Sequence, residues 1–143
     1  MKEIKLLYFV LCVFSLIMGL GIYILFRDLN NIVLFEYISI PVIFQKTLFP
    51  MKTSNMTNFI RFHLPDMLWF LSGILFFRFI WFEKIKIQAF YILCFYVVGI
   101  MLEISQLSNK IFGTFDFLDL LFMSIVALVD GLLYRNLILR RCL

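Results

Sequence analysis

The amino-acid sequence predicts an all-α fold, a polytopic membrane helix bundle of about four transmembrane helices plus a short interfacial or re-entrant helix. Two observations predict it. Hydrophobic residues make up 64% of the 143 positions and charged ones only 15%, far from the composition of a soluble domain. A chain this short has too little interior to bury so much apolar surface. The apolar residues also fall in runs about 20 long, the length that crosses a hydrocarbon layer of roughly 30 Å. One bundle covering 1–143 is the expected domain.

The first span is expected over 6–26, where Leu6–Phe26 carries no charge. Met1-Lys2-Glu3-Ile4-Lys5 looks like the start of a signal peptide. The run is long, however, and Arg27-Asp28 follows it instead of a small-residue cleavage site, so an uncleaved helix is expected. Ser15 and the Gly19/Gly21 pair would let another helix approach closely.

Ile32–Phe44 is apolar but only 13 residues long, with Glu36 inside it and Pro41 near its end. That suits an interfacial helix over 32–44. A crossing there would move only the N-terminus to the other side. Met51–Asn58, rich in Thr, Ser and Asn, reads as a loop.

The second span is expected over 64–82. Pro65 fits a first helical turn, where its missing N–H has no intrahelical partner. Asp66 in the same turn meets the positive end of the helix dipole. Arg78, about one turn from the far end, is placed to snorkel to the head groups. Glu83-Lys84-Ile85-Lys86 is a tight loop, which makes the second and third spans antiparallel neighbours. The third span is expected over 87–104, a turn longer if Glu103 to Gln106 are helical, and the fourth over 117–139.

The net charge of +4 does not point to nucleic acid, because Lys and Arg sit at the ends of apolar runs. With the N-terminus inside, Lys2, Lys5, Arg78, Lys84, Lys86, Arg135, Arg140 and Arg141 gather at the inner face. Arg27, Lys46, Lys52, Arg61 and Lys110 gather at the outer one. This bias puts both termini in the cytoplasm. Cys12, Cys94 and Cys142 have no metal-type or disulfide-type spacing. There is no Walker loop, nucleophile elbow or dinucleotide-binding glycine pattern.

On this topology His63, Asp66, Glu103, Gln106, Asp116 and Asp119 all fall at the outer ends of helices. Glu103 and Gln106 are three apart and share a helix face, as do Asp116 and Asp119. Carboxylates paired at a membrane interface suit general acid–base work, a divalent cation or a cationic group. The same residues have structural explanations. Asp116 could cap the last helix with Asp119 answering its dipole, and Glu103 could be a solvated helix end. His63 is the only histidine. Histidine is the residue type that exchanges protons near neutral pH, but a lone one at an interface is more often a hydrogen-bonded anchor. No metal site is assigned and no cofactor is required by the sequence, although a divalent cation is compatible with it.

Asp130 lies eleven residues after Asp119, on nearly the same helix face and roughly 16 Å deeper. A buried acid needs a partner, and Arg78 is at a matching depth. An Arg78–Asp130 ion pair with a structural role is expected.

The order Glu103-Ile-Ser-Gln106, then Gly113-Thr-Phe-Asp116-Phe-Leu-Asp119 at the start of the last helix, resembles the VanZ-like family of small bacterial membrane proteins. Leu64-Pro65-Asp66-Met-Leu-Trp69 is similar to the start of a helix in one branch of that family. The resemblance covers about residues 62 to 131. The chain departs from the usual pattern after Asp119, where Phe-Met-Ser124-Ile-Val-Ala127 stands in place of an Asn followed by a Gly, which implies a divergent branch.

The resemblance implies a multi-pass protein of the bacterial cytoplasmic membrane acting at the cell envelope. Its polar site would take an envelope lipid, a glycolipid precursor or a glycopeptide or lipoglycopeptide antibiotic, with a link to antibiotic resistance. A second class is an enzyme in which Glu103, Asp116 or Asp119 is the general base on a lipid-linked substrate. A third is a structural or accessory subunit whose acids are only caps. Beyond the lipid bilayer and these ligands, no protein partner is indicated.

Overall fold

An apolar run that meets lipid must satisfy its backbone polar groups within its own turns, so helices are the expected outcome for every long run. The computed structural model describes residues 2–26, 54–107 and 115–139. They form α1 (Lys2–Phe26), α2 (Asn55–Phe62), α3 (Leu64–Ile80), α4 (Ile85–Gln106) and α5 (Phe117–Leu139). No strand occurs among the described residues. Four stretches are long and apolar enough to cross a membrane: α1, α2 with α3, α4, and α5 through Tyr134. The chain is therefore a helical bundle of the multi-pass membrane type. The expected helix at 32–44 and Gly113-Thr114 of the last motif lie outside the described residues.

The boundaries differ from the sequence reading where capping chemistry acts. Asn55–Phe62 is a helix and not part of a loop. Ser54 and Thr57 form a reciprocal cap, with Thr57 N–H donating to Ser54 Oγ at 3.2 Å and Ser54 N–H to Thr57 Oγ1 at 2.8 Å. Two otherwise orphaned donors are satisfied this way. A single residue, His63, separates α2 from α3, its N–H bonded to Phe59 O at 3.0 Å. Pro65 has no N–H to give to the carbonyl of Arg61, so the ladder breaks there. Helix α4 begins two residues earlier than expected and runs to Gln106.

Helix α3 is the hub and touches the other four. It runs antiparallel to α1, with Phe9 against Phe79 at 5.1 Å and Tyr23 stacked on Trp69 at 5.7 Å between ring centroids. The buried stripe of α1 is Cys12, Ser15, Gly19 and Ile22, a three-and-four spacing of mostly small residues. Gly19 makes the close approach, since a Cβ there would lie 2.5 Å from Trp69 Cδ1. Gly21 does not share this role: a Cβ on it would meet nothing within 4 Å.

An aromatic ladder joins α3 to α4, through Phe70 stacked on Phe95 and both Phe77 and Trp81 stacked on Tyr91. Helix α5 runs parallel to α3, so its start lies beside His63 and its Asp130 beside Arg78. Most large apolar side chains point outward, where lipid tails would cover them.

Candidate functional site

Two polar clusters lie at different levels of the bundle. The first gathers where α3 and α5 begin and α4 ends. His63 sits at the α2–α3 break with its ring against Phe59 and Phe122, centroids 6.0 and 5.7 Å away. Its Nδ1 shares a 2.6 Å hydrogen bond with Asp119 Oδ1, and its Nε2 lies 3.9 Å from Asp116 Oδ2. The imidazole is thus held between two carboxylates of α5, and its side chain is only 11% exposed.

Asp116 caps α5, with Leu118 N–H donating to its Oδ1 at 2.8 Å. Its own N–H donates to Glu103 Oε1 at 2.9 Å. Glu103 is buried, not the solvated end of α4, because it crosses to the start of α5 and accepts that N–H. Asp66 in the first turn of α3 and Gln106 at the end of α4 complete the rim.

All six sequence-selected residues, His63, Asp66, Glu103, Gln106, Asp116 and Asp119, line one cleft of about 1060 Å³. Its other walls are chiefly apolar and continue toward the middle of the bundle past Trp69, Phe70, Gly73, Phe95 and Cys12. The cleft has a negatively charged end and a greasy shaft. That shape and polarity suit an amphiphile whose head meets the carboxylates and whose chain lies between helices.

The second cluster is closed. Arg78 Nε donates to both Asp130 oxygens, at 3.0 and 3.2 Å, and its Nη2 also donates to Asp130 Oδ2. Its Nη1 donates to Gln88 Oε1 at 2.8 Å, and Gln88 Nε2 returns a bond to Arg78 O at 3.1 Å. The guanidinium carbon lies 3.4 Å from the Tyr134 ring centroid. Arg78 does not snorkel to a head-group layer. It is 5% exposed, because an acid, an amide and an aromatic face satisfy it inside the bundle.

Gln88 and Tyr134 were not singled out in the sequence. The signal for Gln88 was a lone amide, 0% exposed in the folded chain, near the start of an apolar helix. Such an amide needs a buried partner.

Compared with known proteins, the chain matches no family model, no curated protein and no solved structure.

Proposed function

We propose that the chain is a VanZ-like protein of the bacterial cytoplasmic membrane, with both termini cytoplasmic. In this reading the carboxylate cleft opens outward and binds an amphiphile of the cell envelope. An envelope lipid or glycolipid precursor fits that description, and so does a lipoglycopeptide antibiotic, which would account for a link to resistance. The observation that carries the reading is the continuity of one cleft from Glu103, Asp116 and Asp119 into an apolar shaft.

The distribution of basic residues supports the orientation. With Arg78 paired inside the bundle, seven Lys and Arg remain at the inner face against five at the outer. Single cysteines at positions 103, 116 and 119 in a Cys-free background test it directly. Labelling by a membrane-impermeant thiol reagent on whole cells is expected. Labelling only after the membrane is opened would invert the topology and remove the envelope reading.

Ligand binding is tested by purifying the wild type and Asp119→Asn in mild detergent and comparing the lipids each retains by mass spectrometry. Enrichment of one amphiphile in the wild type and its loss in the variant are expected. Identical lipid profiles would defeat the proposal.

The His63–Asp119 hydrogen bond favours one second reading, an enzyme acting on a lipid-linked substrate. In it the base would be His63, oriented by Asp119, in place of a bare carboxylate. His63→Gln would then abolish turnover of the retained amphiphile while leaving its retention intact.

A further inference from the structure

We infer that His63, Asp116 and Asp119 form a divalent-cation site at the polar end of the cleft. One imidazole nitrogen and one carboxylate oxygen from each aspartate all lie within 4.8 Å of one another. Nitrogen and oxygen ligands stand about 2.0–2.2 Å from a zinc-sized ion, so the trio lies close to the spacing of one coordination shell, and the two aspartates must turn toward the same imidazole nitrogen to share an ion.

Charge supplies a separate argument. Glu103, Asp116 and Asp119 line the same end of the cleft. Among the described residues, their only basic partner within ion-pair distance is His63. Asp116 and Asp119 thus face, among those residues, a single imidazole, which balances one carboxylate at most. A divalent cation would offset what the imidazole leaves over. Arg78 and Asp130, by contrast, are paired one to one.

The donors are also held from outside, as a metal site requires. His63 packs at the α2–α3 break against Phe59 and Phe122, which also contact each other. Asp116 is fixed by its capping bond and by Glu103, which takes its N–H. Glu103 is therefore a positioning residue for the site.

A donor set with one imidazole and two carboxylates favours Zn²⁺ or Mn²⁺ over Mg²⁺ and Ca²⁺, which prefer oxygen alone. Three protein ligands leave a coordination position open, and since all three line the cleft it faces the cleft. What fills that position rests on the amphiphile reading above: an anionic head group, repelled by bare carboxylates, becomes a ligand of the ion. An ion on His63 takes the nitrogen lone pair that a general base would use, so the inference sides with binding over base catalysis by that ring.

The test uses the full chain without a histidine tag, purified in detergent, stripped with EDTA and titrated with ZnCl₂, MnCl₂ and MgCl₂. We expect one saturable equivalent of Zn²⁺ or Mn²⁺ per chain by elemental analysis after dialysis, with a bound-Mn²⁺ paramagnetic signal, and much weaker uptake of Mg²⁺. His63→Ala and Asp119→Asn should each weaken binding at least ~10-fold, and Glu103→Gln by about 10-fold through Asp116. Variants are compared only when they elute as the wild type does. Absence of saturable binding by the wild type overturns the site whatever the variants do, as does wild-type affinity in both His63→Ala and Asp119→Asn. The same preparation is assayed for retained lipid. Retained amphiphile without ion binding would remove the ion site and leave the cleft reading. Ion binding without retained amphiphile would do the reverse.

Discussion

The cluster around Arg78 and the cluster around His63 draw on similar residue types and differ in what each leaves over. Arg78, Asp130, Gln88 and Tyr134 satisfy one another, with the guanidinium fork bound on both edges and covered on one face. At the other end two carboxylates share one imidazole, and a third, Glu103, accepts only a backbone N–H beside the same open cleft. A closed, balanced network holds helices together. An open, unbalanced one keeps binding capacity for something outside the chain. Buried polar groups therefore do not announce a function by being buried; the unspent charge does that.

The contrast predicts opposite responses to mutation. The largest effect is expected for Arg78→Ala or Asp130→Asn, each of which strands a polar partner inside the bundle. Removing one member of a buried pair costs about 3–5 kcal/mol, so both variants should be depleted from the folded membrane fraction. The swapped pair, Arg78→Asp with Asp130→Arg, should recover part of the loss. Normal expression of both single variants would break the comparison at its stronger end.

Gln88→Leu leaves Arg78 short of an acceptor and should cost about 1–3 kcal/mol in detergent-melting assays. Gly19→Leu should cost a similar amount, about 1–3 kcal/mol, by driving a side chain into Trp69. Gly21→Leu serves as its neutral control, and equal loss at both glycines would show that the close approach is not what matters.

At the cleft, Asp119→Asn should change stability by less than about 1 kcal/mol in either direction, because it relieves like-charge crowding as it loses a bond. It should nonetheless abolish ligand retention. Asp116 separates capping from binding. Asp116→Asn keeps an oxygen for Leu118 N–H and should melt like the wild type, whereas Asp116→Ala should lose about 1 kcal/mol with the cap. If both Asp116 variants retain the ligand fully, its carboxylate is a cap and nothing more.

Much of this arrangement was legible in the chain. Runs of apolar residues of membrane length set the number of described spans and their alternation, so residues at successive helix ends had to meet on one side. That is why His63, Asp66, Glu103, Gln106, Asp116 and Asp119 group together on the sequence alone. Depth along a helix, at a fixed rise per residue, likewise paired Arg78 with Asp130. The α2 helix was missed because it is only eight residues long and polar on average, so its two-residue cap and its amphipathic pattern fall in what reads as a loop.

Sequence by itself thus determined the fold class, the level of each polar residue and the choice of partner for a buried charge, because these follow from hydrophobic run length and helical rise. Only the tertiary structure decided that His63 lies between Asp116 and Asp119, that Glu103 takes a backbone N–H instead of facing solvent, that Gln88 and Tyr134 enclose Arg78, and that Gly19 and not Gly21 meets Trp69. Those facts depend on how each helix is rotated about its axis. The hydrophobic pattern of a helix apolar on nearly every side does not set that rotation; side-chain packing against its neighbours does.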